Sequence, residues 1–99
     1  MINHVVLFKL KDYTEQEKRE ILAELTSAIK SLKEKIKEAK YIEVGTNYEL
    51  NAKSYDLALI SHFENIDDLG IYSAHPEHQK VVKRLGETTV SRAAVDFVF

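Results

Sequence analysis

Tyr72, His75 and His78 fall within one short run, Tyr-Ser-Ala-His-Pro-Glu-His, built around the only proline of the chain. An imidazole titrates near neutral pH and can take a proton from a carbon acid beside a carbonyl. A phenol can donate a hydrogen bond to the enolate oxygen that then develops. With His78 as general base and Tyr72 as oxyanion donor, the pair is a minimal set for aldol-type ring closure, enolisation or decarboxylation without a cofactor. Pro76 lacks an N–H and pushes His75 out of helical geometry, yet it suits the first position of a new helix. A break of that kind can aim both side chains into one cavity instead of along one helical stripe. The competing reading has Tyr72 packed with its hydroxyl satisfied and His78 exposed on the first turn of its helix. His75 is expected to cap that helix. Its H-x-x-H spacing to His78 would also suit a metal pair, but zinc wants three or four ligands and no third is evident, so no metal is expected.

The elements that must position these residues follow from periodicity. Ile2 to Leu10 carries β-branched and aromatic residues on both alternating sets, Ile2, His4, Val6, Phe8 and Leu10 on one and Asn3, Val5, Leu7 and Lys9 on the other, which predicts a strand covered on both faces. The first set is assigned to the interior of a barrel, where His4 would line a pocket or join a buried hydrogen-bond network. Thr14 with Glu17 forms a capping-box signature. From there Ile21, Leu22, Leu25, Ala28, Ile29, Leu32 and Ile36 make one stripe of a helix of about six turns, ending near Lys40. Tyr41 to Leu50 and Tyr55 to Phe63 read as strands of a hairpin across Asn51-Ala52-Lys53-Ser54, with Gly45 a candidate bulge. Asn65 caps a short helix through Gly70. After the break at His75-Pro76 a second helix runs to Gly86, and Val90 to Phe99 closes the chain as a strand, with Val95, Phe97 and Phe99 on one side and Ala94, Asp96 and Val98 on the other.

This order is β-α-β-β-α-β, a single α+β domain over residues 1–99 with a ferredoxin-like, four-stranded antiparallel sheet and its helices on one face. The first and third strands are apolar on both faces, including Leu57 and Leu59 against Ala58 and Ile60, so the second face needs a cover. A second copy on a two-fold axis is the simplest one, giving a homodimer through the open sheet face and a dimeric α/β barrel.

Composition narrows the chemistry. Ninety-nine residues, 44% hydrophobic and 30% charged, describe one folded unit. The absence of cysteine excludes disulfides, thiolate metal sites and cysteine nucleophiles. A net charge of −2 argues against a nucleic-acid partner. The Lys-rich run from Lys30 to Lys40 reads as a solvated helix face with i,i+4 ion pairs. No apolar stretch approaches membrane-spanning length and no secretory segment opens the chain, so a cytoplasmic protein without a membrane partner is expected. Gly45, Gly70 and Gly86 stand alone, with no phosphate loop or dinucleotide fingerprint, and no cofactor is expected. His62 carries no pattern. Tyr48, Tyr55 and Phe63 are candidates for an aromatic ligand wall or for plain core.

The opening His4-Val5-Val6-Leu7-Phe8-Lys9-Leu10 and the later Tyr72-Ser73-Ala74-His75-Pro76-Glu77-His78 resemble the stress-responsive A/B barrel domain, known as Dabb, over nearly the whole chain. The resemblance implies a dimeric α+β barrel with a pocket between sheet and helices in each subunit. Some plant members of that family act as polyketide cyclases, and the counterparts of Tyr72 and His78 are the residues that matter in them. A further pocket histidine of those cyclases falls at Leu57 here, which leaves the polar arrangement incomplete.

Three functions follow as expectations. The first is a domain that binds a small apolar or aromatic carbonyl compound near His4, Val6, Phe8, Leu57, Leu59, Tyr72, His75 and His78. The second is a cofactor-independent enzyme of polyketide-cyclase or carbon-acid type using Tyr72 and His78. The third is a stress-related structural protein whose interior is packed solid; an interior cavity separates it from the other two.

Overall fold

The computed structural model describes residues 1–50 and 53–99. The chain runs β1 (Ile2–Leu10), α1 (Glu15–Lys35), β2 (Tyr41–Thr46), β3 (Leu57–Phe63), α2 (Ile66–Ala74), α3 (Pro76–Thr88) and β4 (Thr89–Val98). The four strands form one sheet in the order β2-β3-β1-β4, and every neighbouring pair is antiparallel. This is the ferredoxin-like arrangement expected, with its second helix broken in two at His75.

Local chemistry explains the helix boundaries. Thr14 and Glu17 make the reciprocal capping box, each side chain accepting from the other residue's backbone N–H, at 3.2 Å and 3.1 Å. The helix ends five residues earlier than expected, because Ile36 takes extended geometry (φ −125°, ψ 105°) while its side chain remains buried. Ile36 and Ala39 thus belong to the core without being helical; the chain turns there to enter β2. The Lys-rich run contains no i,i+4 ion pair among the described residues. Lys35 instead reaches Glu77 of α3 at 3.7 Å, and Arg84 of α3 holds Glu24 of α1 through two nitrogens at 2.7 Å and 2.9 Å.

The sheet has two unlike faces. Val6, Phe8, Leu10, Leu57, Leu59 and Phe63 are buried beneath the helices together with Leu22, Leu25, Ile29 and Leu32 of α1. The alternate residues receive no helix: Leu7 is 40%, Val95 62% and Phe97 44% exposed. Two expectations need correcting. The set containing His4 faces the helices, not an interior shared with a second sheet, because both sets are apolar and only helix packing distinguishes them. Gly45 sits in unbroken register opposite Ala58, and the irregularity falls instead between Lys9 and Leu10. Strands β2 and β3 are shorter than expected: the chain leaves the ladder after Thr46 and rejoins it at Leu57. Near that end the buried Asp56 accepts the Leu10 N–H at 2.8 Å and donates its own to the Phe8 carbonyl at 2.9 Å. The connection at Asn51-Ala52 lies outside the described residues.

Candidate functional site

The break between α2 and α3 makes the site. Asn65 accepts the Asp68 N–H at 2.8 Å and starts α2, which buries Leu69 and Tyr72 three residues apart. Pro76 prevents the helix from continuing, so His75 adopts extended geometry (φ −63°, ψ 135°). Its backbone N–H closes α2 on the Tyr72 carbonyl at 3.2 Å, while its Nδ1 accepts the Glu77 N–H at 3.1 Å and opens α3. One residue therefore ends one helix and begins the next. The new direction returns His78 against Tyr72, with ring centroids 4.4 Å apart and planes at 46°. On its other side Tyr72 meets Phe63 at 4.8 Å, and Phe63 meets His4 edge-on at 6.4 Å.

Between the sheet and these helices lies a cavity of about 230 Å³. Of the residues expected at a ligand site, His4, Val6 and Phe8 of β1, Leu59 of β3, Tyr72 and His78 line it. Ile29 and Leu32 of α1 and Val81, Val82 and Leu85 of α3 complete the apolar wall; Ser73, Gly86, Thr89 and Arg92 complete the rim. The interior is thus not packed solid. A larger groove of about 1110 Å³ runs between α1 and the segment after β2, but it opens broadly between the charged side chains of Arg19, Lys30 and Glu34. It contains neither an imidazole nor a buried phenol, so the chemistry belongs to the smaller cavity.

The polar groups of that cavity are set by burial. Tyr72 is 1% exposed and its hydroxyl has no hydrogen-bond partner among the described residues. Burial pushes the phenol up to about 12, which keeps it protonated. His78 is half-buried, and desolvation holds its pKa below the ordinary histidine value. The Ser73 carbonyl works against that shift, and the neighbouring His4 and His75 imidazoles and the Arg92 guanidinium add to it. His78 Nδ1 lies 3.0 Å from the Ser73 carbonyl, an acceptor, so Nδ1 carries the hydrogen. In the neutral ring the basic lone pair then sits on Nε2. His4 pairs through Nδ1 with the Asp96 carboxylate of β4, its directly opposite residue in the ladder.

Several expected residues fall elsewhere. Leu57 shares the helix-covered face and is buried, but lies outside the cavity lining. His75 is likewise outside it, engaged in capping. The three aromatics proposed as a wall are scattered: Phe63 is core, Tyr48 is 94% exposed, and Tyr55 shares a 2.7 Å hydrogen bond with Ser91. His62 is on the open sheet face between Tyr41 and Phe99, with ring centroids at 4.7 Å and 4.6 Å. Among the described residues no three His, Asp or Glu side chains cluster as metal ligands, and no helix is long and apolar enough to cross a membrane. Sequence reasoning missed Arg92 and the partnership of Asp96. The available signal was parity: a period of two places Arg92 with Ala94 and Asp96, so both charges share the helix-facing side of β4, where both stay exposed.

Comparison with known proteins agrees with this architecture. The model of the Stress responsive A/B Barrel Domain family matches residues 2–99. An uncharacterised protein of Streptomyces coelicolor is 34% identical over 79 residues, covering 80% of this chain and 80% of that protein. A stress-response A/B barrel domain-containing protein of Arabidopsis thaliana is 33% identical over 86 residues, and the match covers 84% of this chain but 30% of the plant protein. In three dimensions, a dimeric protein of unknown function and ferredoxin-like fold from Bacteroides fragilis superposes with a TM-score of 0.91 at 41% identity, covering 99% of this chain and 95% of that one.

Proposed function

We propose that this chain, which belongs to the stress-responsive A/B barrel domain family, acts as a homodimer whose subunits each bind a small apolar or aromatic carbonyl compound in the cavity of His4, Tyr72 and His78. The observation that carries the reading is Tyr72, a wall residue of a cavity with mostly apolar sides, whose buried hydroxyl has no partner among the described residues. A buried donor left unpaired costs roughly 1–3 kcal/mol. A carbonyl oxygen on a ligand would remove that cost, whereas a hydrocarbon would not. The volume suits a single substituted ring: a cavity of roughly 150 Å³ already admits benzene, and this one measures about 230 Å³.

Pairing through the open sheet face is supported by its apolar content and by the dimeric Bacteroides fragilis protein of the same fold. The covering partner is then a second copy of the same face, which a two-fold axis makes self-complementary. Native mass spectrometry of the purified protein tests both halves of the reading. A dimer carrying extra mass is the expected result; a monomer would remove the pairing, and a failure of aromatic ketones to bind would remove the ligand.

The contact between Tyr72 and His78 favours a second reading, catalysis on a carbon acid. His78 Nε2 would take the proton beside the carbonyl while the Tyr72 hydroxyl donates to the oxygen that becomes the enolate. Deuterium uptake at the methyl group of acetophenone, followed by NMR, reads that step without assuming a natural substrate. His78→Ala and Tyr72→Phe are each expected to lower the exchange rate by about a hundredfold or more while leaving the fold intact. Unchanged exchange in both variants would eliminate catalysis by this pair.

A further inference from the structure

We infer that the ligand of this cavity is a monoanion, an aromatic or apolar carbonyl compound carrying one carboxylate, and that Arg92 at the rim selects it. The inference rests on the binding reading above and specifies its chemistry.

Arg92 projects from the edge strand β4 on the helix-covered side, opposite Phe8 in the ladder, and lines the cavity. A guanidinium remains charged at any pH the protein experiences and offers a planar fork of donors matched to a carboxylate. None of the ion pairs among the described residues uses it. The acidic group further along the same side of β4, Asp96, is already paired with His4. Arg84, by contrast, is held by Glu24 outside the cavity. The other ionisable groups that bear on His78 are His4 and His75, which can add positive charge but no negative charge.

The cavity therefore has two unlike ends. At its buried end lies Tyr72, whose hydroxyl has no partner among the described residues and which favours an uncharged acceptor, because a carboxylate there would lose its water without a counter-charge. Its solvent end presents an unpaired guanidinium, where a carboxylate keeps part of its hydration and gains a charge-assisted hydrogen bond. Val6, Leu59 and Val81 supply apolar wall to the same cavity. A ring with a ketone at one end and a carboxylate at the other meets both requirements; a neutral ketone meets one.

Titration calorimetry with 4-acetylbenzoate and with its methyl ester separates the possibilities, since the two share ring and ketone and differ in charge. The acid should bind about tenfold more tightly than the ester to the native protein, and added salt should narrow the gap because Arg92 is exposed. In Arg92→Gln the ratio should fall to about one, whereas Arg84→Gln should keep it. Equal affinities for acid and ester in the native protein would overturn the inference and leave the binding reading standing. A preference that survives Arg92→Gln would overturn the assignment to Arg92. Failure of both compounds to bind would overturn inference and binding reading together.

Discussion

The two faces of the sheet carry similar apolar side chains and end in opposite conditions. On one, Val6, Phe8, Leu59 and Phe63 lie under three helices, and the cover still leaves a cavity with a phenol and two imidazoles at its wall. On the other, Leu7, Val95, Phe97 and Phe99 stay exposed, with no helix over them among the described residues. Apolar content therefore does not separate a pocket from an interface in this fold. The helices do, by choosing the face they cover and by failing to fill it where α2 breaks into α3. The covered face keeps a cavity bordered by α1, α2 and α3; the open face receives no helix among the described residues.

Breaking the open face should give the largest effect. Phe97→Asp places one carboxylate on each copy of a two-fold interface, so the cost is incurred twice, and like charges brought together cost several kcal/mol. The variant is expected to run as a monomer in light scattering after size exclusion, with Tyr72 and His78 still in contact by NMR. A dimer that survives would move the interface away from this face. Within the covered face, the filled part and the cavity should respond in opposite directions. Phe63→Ala empties a fully buried position and should lower unfolding stability by about 3–5 kcal/mol in urea titrations. A loss below about 1 kcal/mol would mean that the layer is looser than its burial indicates. Tyr72→Phe, one ring away, removes a hydroxyl that has no partner, so the ligand-free protein should gain about 1 kcal/mol while its affinity for an aromatic ketone falls. A loss of stability would show that the hydroxyl is satisfied in solution.

The smallest effect is a pH dependence. Burial lowers the folded pKa of His78 below its ordinary value of 6.5. The folded chain thus resists a proton that the unfolded chain accepts. Its contribution is fully present above pH 6.5 and is lost as the pH falls from there through the folded pKa. The urea midpoint should decline over that range, and His78→Gln should flatten the decline. An identical slope in the variant would assign the dependence to other groups.

Much of the fold could be read locally. Thr14 and Glu17 announce a helix because each satisfies the other's backbone, and Asn65 does the same for α2. The break at His75 follows from Pro76 alone, and so does the use of His75 as a cap. Alternation sorted β1 and β4 into their two faces correctly. It could not say which face the helices take, since Val5 and Leu7 are as apolar as Val6 and Phe8, so the pattern leaves open whether His4 meets helices or a second sheet. Nor could it show Ile36 leaving the helix while staying buried.

The sequence alone determined the order of elements, the caps, the break and the family resemblance, because each depends on residues a few positions apart or on a repeating period. Only the tertiary structure decided that Tyr72 lacks a partner, that His78 turns back onto it, that Asp96 occupies His4, and that Arg92 stands unpaired at the rim of an unfilled space. A cavity is the difference between the volume that distant elements enclose and the side chains that fill it. That difference depends on the angle at which α3 leaves α2 and crosses the sheet, and no local pattern in the chain records it.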